Sequence, residues 1–285
     1  MLYVKVNATS ANVCVGFDVL GLSLDISNIF TFEKRKVFSF TGFENEFSNK
    51  NNNLVYSSYI EVFKRLNREP IPVEIGFSGN IPVSRGLGSS SSLIVAGVFA
   101  ANYMLGGPLN KDELFNICTS IEGHPDNVAP AVYGGLVASY KKDNKFYSIK
   151  YDVSSNLKFI TVIPPFKLST EKARGVLPKN LEYNDIVHNM SRIVNLPRAF
   201  EKGDLNLLID LFDDKLHEPY RAKLIKGYDE LKRISSENNV AFAISGSGST
   251  MLIIANDYSI IDKISSFGFE IKTPSIGDGV TMWED

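Results

Sequence analysis

A run of glycines and serines, Gly86-Leu87-Gly88-Ser89-Ser90-Ser91-Ser92, stands directly before an apolar segment at residues 93–105. Two glycines one residue apart let a backbone approach a ligand closely. A helix that begins at the serines would also direct free N–H groups at an anion. The run lacks the lysine of a Walker loop, and Ser91 takes the last glycine position of the dinucleotide fingerprint. Taken alone, it fits an anion site and a serine-capped helix equally well, while its apolar flank argues against a flexible linker.

A second polar segment, residues 119–135, has the sequence TSIEGHPDNVAPAVYGG and contains Glu122, His124, Asp126 and Asn127. Carboxylates among other oxygen donors suit Mg²⁺, which prefers a few carboxylate ligands and retains phosphate and water. Proline and aspartate are also common turn residues. By itself this segment is therefore better explained as a polar loop that caps the next element.

Four further polar side chains could contact a small substrate. Asn12 and Asp18 lie in an Asn- and Ser-rich stretch, residues 7–25, that has the composition of a loop. Arg174 and Arg221 each follow small polar residues and together could hold a carboxylate in bidentate fashion. The alternatives are turn formation for the first two and solvated surface positions for the arginines.

Composition excludes several classes of function. The chain has 285 residues, 44% of them hydrophobic, and a net charge of −2, which fits a soluble globular protein and gives no case for nucleic acid. Cys14 and Cys118 form no C-x-x-C motif and the three histidines have no zinc-site spacing, so no disulfide framework or zinc site is expected. The first residues do not have the pattern of a secretory signal, and no apolar stretch reaches the ~20 residues of a membrane span. We expect a cytoplasmic protein without a membrane partner.

The elements that would position these residues alternate between strand and helix periods. Alternation at residues 2–6 indicates a strand, and helical spacing follows at residues 54–66 and 93–105. Asn110 and Glu113 have the spacing of a capping box at the start of a further helix. The run ISGSGST at residues 244–250 lies between two apolar runs and predicts a strand, a tight turn and a second strand, near a phosphate or simply as a hairpin. The pattern predicts a mixed α+β protein with domains at 1–155 and 156–285.

Six motifs in chain order, TSANVCVGFDVLGLSL, PVSRGLGSSSSL, EGHPDNVAPA, LSTEKAR, HEPYR and SGSGST, resemble the GHMP small-molecule kinases, and most closely those that phosphorylate homoserine. The resemblance runs from Val4 to about Ile254. It implies an N-terminal domain like domain 2 of ribosomal protein S5 and a ferredoxin-like C-terminal domain, with ATP between them. It also implies transfer of phosphate from ATP to the side-chain hydroxyl of L-homoserine in threonine biosynthesis, and it is compatible with a homodimer.

The same resemblance assigns roles to individual positions. The ATP-binding residues would be Asn53, Pro82, Val83, Ser84, Arg85, Gly86, Leu87, Gly88, Ser89, Ser90, Ser91 and Ser92. Mg²⁺ would be held by Ser90 and Glu122. The amino and hydroxyl end of homoserine would contact Asn12, Asp18 and Asn127, and its carboxylate end would contact Thr170, Arg174 and Arg221, with His188 adjoining. The catalytic group would comprise Asn127, Asp126 and Arg174.

The chain departs from the family pattern at two positions: Cys14 replaces the first glycine of S-A-N-L-G-x-G-F-D, and Ser249 replaces the proline of S-G-x-G-P-T. Asn127 stands where some superfamily members have a basic aspartate, so we hypothesise that no strong general base operates. Two alternatives are a related kinase for another alcohol, such as mevalonate or shikimate, and a non-catalytic sensor of ATP or an amino acid. The two arginines and EGHPDNVAPA favour homoserine.

Overall fold

The computed structural model describes all 285 residues and contains two β-sheets with helices packed against them, which confirms the α+β class. The strands are β1 (Leu2–Ala11), β2 (Leu20–Lys34), β3 (Ser39–Thr41), β4 (Val73–Gly79), β5 (Leu136–Lys142), β6 (Lys145–Tyr151), β7 (Lys158–Ile163), β8 (Ala241–Ile244), β9 (Met251–Ala255), β10 (Glu270–Lys272) and β11 (Thr281–Glu284). The helices are α1 (Leu54–Arg65), α2 (Ser89–Met104), α3 (Lys111–Glu122), α4 (Val128–Tyr133), α5 (Thr170–Gly175), α6 (Tyr183–Ile193), α7 (Leu196–Lys202), α8 (Leu205–Leu211), α9 (Glu218–Arg221), α10 (Tyr228–Glu237) and α11 (Ile260–Ile264).

The first sheet has the order β11-β1-β2-β4-β3, and β5 pairs with both β2 and β6. Every pair is antiparallel except β3 with β4. The last strand thus returns to the sheet in which the chain begins, with Tyr3 opposite Trp283. A domain boundary near residue 155 stays a prediction, and the final residues belong by pairing to the first sheet.

Helix α2 passes through the interior between this sheet and the helices α1, α3 and α4. Its residues are apolar around most of its circumference, as is typical of a helix buried on all sides. Gly97 permits close packing, because a Cβ atom there would lie 2.3 Å from the carbonyl oxygen of Val55 in α1. This packing fixes the N-terminus of α2 beside the end of β1.

The second sheet has the order β10-β7-β9-β8, entirely antiparallel, and packs against α10 and α11. One hydrophobic cluster spans both sheets, with Leu22 and Leu24 from β2 and Phe159 and Leu252 from β7 and β9. The two halves are therefore joined by apolar packing as well as by the chain.

The loop predicted at residues 7–25 is shorter than expected. β1 continues to Ala11 and β2 begins at Leu20, so only residues 12–19 form a turn. The sequence did not indicate the second half of β1, because Asn7, Thr9 and Ser10 are polar yet buried. Their burial removes the alternation of apolar and polar residues that marks a half-buried strand. Residues 183–203 form two successive helices, α6 and α7, and α7 has a proline in its first turn. No helix has the length and apolar composition needed to cross a bilayer.

Candidate active site

A cavity of about 450 Å³ lies where turns from both halves of the chain meet. Its walls come from the turn after β1, the loop before α2, the end of α3, the start of α5 and the turn between β8 and β9. Most residues singled out from the sequence line this cavity. The positions that the sequence spreads over more than two hundred residues are thus brought to one place.

The loop before α2 is held by backbone hydrogen bonds from both halves of the molecule. The amide of Thr9 donates to the carbonyl of Leu87 at 3.2 Å, and the amide of Thr250 donates to the carbonyl of Arg85 at 3.0 Å. The Ser245 hydroxyl donates to the carbonyl of Gly86 at 2.7 Å. A loop anchored on both sides presents its amides in a fixed geometry, which favours recognition of an anion.

Gly88 is the residue that brings this loop into contact with the first sheet. Its φ of +66° lies in the left-handed region, and a Cβ atom would lie 1.9 Å from Thr9 Oγ1 and 3.1 Å from Asn127 Oδ1. It immediately precedes α2, whose first N–H groups have no partner within the helix. Gly88, Ser89 and Ser90 all line the cavity, so the positive end of the helix faces it.

We expect Gly88→Ala to lose measurable ATP binding, because the added methyl group would push the loop away from Thr9. Gly106→Ala is the matched control: Gly106 also has a positive φ, +84°, but a Cβ atom there meets nothing within 4 Å. Both variants carry the left-handed penalty of roughly 1 kcal/mol, and only the first carries the clash. Calorimetric titration with ATP measures the difference, and equal affinities in the two variants would refute the role given to this contact.

Not every residue of the loop faces the cavity. Leu87 is buried in the core that joins the two sheets, and Ser92 accepts from Asn28 Nδ2 at 3.0 Å while donating to the carbonyl of Ser89 at 2.8 Å. Pro82 and Ser91 also lie outside the cavity lining. The predicted ATP-binding run is therefore divided: some members face the cavity and others hold the loop in place.

Glu122 ends α3 directly opposite the start of α2. Ser90 Oγ donates to its Oε2 at 2.9 Å and Ser91 Oγ donates to its Oε1 at 3.1 Å. No cluster of three or more His, Cys, Asp or Glu side chains is present. A single carboxylate with adjacent hydroxyls fits Mg²⁺ that arrives with phosphate and water as its other ligands, and a magnesium site at Ser90 and Glu122 stays a prediction.

One end of the cavity is apolar and was not predicted. Its lining there includes Phe43, Phe47, Leu54, Phe77 and Val83, and the rings of Phe43 and Phe77 stack with centroids 5.1 Å apart. Such a surface suits a flat aromatic base. The signal available in the sequence is the aromatic density of residues 38–47, which contain Phe38, Phe40, Phe43 and Phe47.

Asn53 lies at this apolar end, but both polar groups of its side chain form hydrogen bonds to the protein backbone. Its Oδ1 accepts from the amide of Tyr56 at 2.9 Å, which caps α1, and its Nδ2 donates to the carbonyl of Phe47 at 2.8 Å. Asn53 therefore shapes the cavity by holding the backbone at Phe47 against the start of α1.

Asp126 and Asn127 follow α3 and face the cavity beside Gly88. The Thr9 hydroxyl donates to Asn127 Oδ1 at 2.7 Å, which orients the side chain. Asp126 is buried, and its Oδ1 accepts from the amide of Asn127 at 3.0 Å and contacts His124 Nδ1 at 3.1 Å. The hydrogen bond from Asp126 raises the pKa of His124 above its ordinary value.

Asp18 and Arg174 form a two-pronged ion pair across the cavity. Arg174 Nη2 donates to Asp18 Oδ1 at 2.7 Å and Nη1 donates to Oδ2 at 3.0 Å. Each side chain remains about a third exposed, and the hydrogen bond to Asp18 raises the pKa of Arg174 further. Two side chains predicted to hold opposite ends of a substrate thus pair with each other.

Arg221 is buried, with only 2% of its surface exposed. Nε donates to the carbonyl of Ala173 at 3.2 Å, and Nη1 donates to the carbonyl of Gly246 at 3.1 Å and to His217 Nδ1 at 3.3 Å. None of these partners is a carboxylate. Burial, with the nearby Arg174 charge, lowers the pKa of Arg221 to about 10. A buried cation that has no carboxylate in direct contact and lies beside an open cavity favours an anionic ligand.

The ring of Phe17 contacts both arginines. Its ring centroid lies 5.1 Å from the guanidinium carbon of Arg221 and 5.6 Å from that of Arg174. Both distances are within the range of cation–π contacts. Sequence reasoning passed over this residue, although it stands beside Asp18.

The remaining predicted substrate residues have different positions. Thr170 lines the cavity with its hydroxyl 3.5 Å from that of Ser247. Asn12 also lines it, but Nδ2 donates to the carbonyl of Gly246 at 2.8 Å and Oδ1 accepts from the amide of Asp18, so the side chain shapes the turn. His188 is not part of the lining: its Nε2 contacts the carbonyl oxygen of Asp213 at 2.8 Å, because α6 directs it toward that loop.

The two departures from the family pattern are accommodated. Cys14 has a φ of +63° in the turn after β1 and is buried, so a thiol-bearing residue stands where glycine has conformational freedom. Ser249 donates its hydroxyl to the carbonyl of Phe166 at 2.8 Å. Neither change reaches the cavity lining.

Comparison with known proteins gives consistent results over nearly the whole chain. The family model "GHMP kinases N terminal domain" matches residues 53–135, and "GHMP kinases C terminal" matches residues 198–268. Homoserine kinases from Clostridium beijerinckii and Clostridium botulinum are 42% and 40% identical to it, each over 94% of this chain and 91% of the relative. A crystal structure of homoserine kinase from Cytophaga hutchinsonii superposes with a TM-score of 0.86 at 26% identity, covering 99% of this chain and 97% of that one.

Proposed function

The chain belongs to the GHMP kinases, and within that family we propose that it phosphorylates the side-chain hydroxyl of L-homoserine with ATP. The product would be O-phospho-L-homoserine, an intermediate of threonine biosynthesis. Membership of this family makes the chain an ATP-dependent phosphotransferase. Two observations support homoserine as the acceptor: the similarity to homoserine kinases and the charged side chains in the cavity.

The observation that carries the choice of acceptor is the arrangement of Asp18, Arg174 and Arg221. Homoserine is a zwitterion with a carboxylate and an ammonium group on one carbon. Two guanidinium groups beside one carboxylate offer a partner to each charge. Mevalonate and shikimate carry a carboxylate without an ammonium group, so neither acceptor would offer Asp18 a cation in exchange for Arg174.

The residues of the chain divide the work of phosphoryl transfer. The amides before α2 would bind the nucleotide phosphates, and the aromatic residues near Phe43 would hold the base. Glu122 and Ser90 would hold Mg²⁺, which when bound neutralises charge on the phosphates. The arginines and Asp18 would orient homoserine so that its hydroxyl meets the phosphate in line.

We expect Asp126→Asn to lower kcat by clearly less than 10³-fold, because a loose phosphoryl-transfer transition state needs little deprotonation of the attacking hydroxyl. Asp126 also has a structural role, since its Oδ1 accepts from Asn127 and contacts His124. Steady-state kinetics at saturating ATP and homoserine measures the change. A loss of about 10³-fold or more, within the range of general-base effects, would contradict the hypothesis that no strong general base operates.

The direct test of function is ADP release measured with homoserine, mevalonate, shikimate and threonine as acceptors. Turnover with homoserine alone supports the proposal. Turnover with mevalonate or shikimate instead would mean that this alcohol, and not homoserine, is the acceptor. Binding of ATP and homoserine without turnover would make the protein a sensor. The cytoplasmic location, the homodimer and the role of Mg²⁺ expected from the sequence stay predictions.

A further inference from the structure

His217 is a completely buried histidine that no step of the proposed reaction uses. It immediately precedes α9, and its ring stacks on that of Phe17 with centroids 5.3 Å apart. Nε2 lies 2.7 Å from the carbonyl oxygen of Cys14, and Nδ1 lies 3.3 Å from Nη1 of Arg221. The ring therefore connects the turn after β1 with the buried guanidinium.

These two contacts admit one protonation state of the ring. A carbonyl oxygen only accepts, so Nε2 must carry the hydrogen that bonds to Cys14. A guanidinium only donates, so Nδ1 must keep its lone pair for Arg221. Burial, with the Arg221 charge nearby, lowers the pKa of His217, which agrees with a neutral ring. The Asp214 carboxylate lies 3.8 Å from Nε2, and its oxygens already accept from Asn189 and from the amides of His217 and Glu218.

The acceptor at Nδ1 determines what Arg221 can offer a ligand. A guanidinium has five N–H groups. Nε–H donates to the carbonyl of Ala173, and the two N–H groups of Nη1 donate to the carbonyl of Gly246 and to Nδ1 of His217. Both N–H groups of Nη2 are left without a protein acceptor, and Arg221 lines the cavity. With the other three held by fixed partners, the guanidinium has one orientation.

We propose that His217 is a positioning residue, whose neutral Nε2–H tautomer fixes the guanidinium plane of Arg221 so that Nη2 meets the carboxylate of the acceptor. This inference rests on the proposed function, because it assumes an acceptor with a carboxylate. The competing explanation is that His217 only fills space beneath Phe17.

Two substitutions separate the two contacts of the ring. His217→Asn can place Oδ1 where Nδ1 was, which keeps an acceptor for Arg221 and loses the bond to Cys14. His217→Gln can place its amide nitrogen where Nε2 was, which keeps the bond to Cys14 and removes the acceptor for Arg221. Both remove the aromatic ring, so loss of packing is common to the pair.

We expect His217→Gln to raise KM for homoserine by about 10- to 100-fold, the range for a lost hydrogen bond to a charged group, with KM for ATP unchanged. His217→Asn should raise it by no more than about threefold, on the usual scale of a tolerated polar exchange. With 3-aminopropan-1-ol, which is homoserine without its carboxylate, the two variants should not differ. Two outcomes would overturn the inference while homoserine turnover by the wild type upholds the function. One is an equal rise of KM for homoserine in both variants, and the other is a rise of KM for 3-aminopropan-1-ol in His217→Gln as large as its rise of KM for homoserine.

A measurement on the unaltered chain covers the case in which a variant does not fold. Nitrogen-15 NMR of the histidine rings at pH 7.5 should show one wild-type ring with hydrogen on Nε2 and an accepting Nδ1, assigned to His217 as the ring most protected from exchange. Hydrogen on Nδ1 of that ring would overturn the inference. A wild type that turns over no homoserine would overturn the proposed function and, with it, this role of His217.

Discussion

Replacing Glu122 with glutamine is expected to lower kcat by about 10²- to 10³-fold, the usual effect of removing one group that stabilises charge in the transition state. The glutamine oxygen can still accept from one of the two serines, and its NH₂ group can donate to the hydroxyl oxygen of the other, where the carboxylate accepts at 2.9 and 3.1 Å, so the local fold should persist. What is lost is the negative charge that would bind Mg²⁺. The Mg²⁺ concentration needed for half-maximal rate should rise together with the fall in kcat, while KM for homoserine stays unchanged.

Glu113→Gln is the control for this variant. Glu113 lies at the other end of the same helix, where it completes a capping box with Asn110, and glutamine serves that box as well. Kinetics equal to those of the wild type are expected for it. If Glu122→Gln kept its kcat and its Mg²⁺ requirement, the metal site assigned to Glu122 and Ser90 would be wrong.

Replacing Arg221 with methionine is expected to lower kcat/KM for homoserine by about 30- to 1000-fold, from the roughly 2–4 kcal/mol lost when one member of a buried charged contact is removed. Methionine fills similar space without a charge. The loss should appear in KM for homoserine, with KM for ATP close to that of the wild type. With 3-aminopropan-1-ol as acceptor, kcat/KM should change little, because this molecule has no carboxylate.

Two comparisons make that result interpretable. Arg198→Met removes an exposed arginine that pairs only with Glu201 on α7, and it should leave all kinetic constants unchanged. Thermal unfolding of Arg221→Met shows how much of its effect comes from the carbonyls of Ala173 and Gly246 losing their donor. An equal loss with homoserine and with 3-aminopropan-1-ol would mean that Arg221 supports the fold rather than recognising a carboxylate.

Local patterns predicted the parts of the fold that depend on neighbouring residues. The capping box at Asn110 and Glu113 and the strand-turn-strand around residues 244–250 are present. The helix predicted at residues 93–105 is also present, but it starts earlier, at Ser89, and its N-cap is Gly88 instead of a serine. In each case the side chains that decide the structure are within a few residues of one another. The position of Ser90 at the start of α2 also depends on nearby residues, because the apolar helical residues follow it directly in the sequence.

Contacts between distant residues could not be predicted in this way. Asp18 and Arg174 are 156 residues apart, and nothing in either segment indicates that they pair. The contact of His217 with Cys14 spans 203 residues. Asn12 and Asn53 both line the cavity. Their positions in motifs could not show that both side chains bond to backbone groups of the protein. His188 was misplaced because only the direction of α6 decides which loop it faces.

The ion pair between Asp18 and Arg174 acts, under the proposed function, as an internal competitor of the substrate. Homoserine would not add its charges to free partners but would exchange one existing pair for two new ones, so the affinity is limited by the free energy of the pair it replaces. The same competition would favour release of the product after the reaction. When the product begins to leave, Asp18 and Arg174 can rebind each other, which favours departure of the product and returns the site to its starting state.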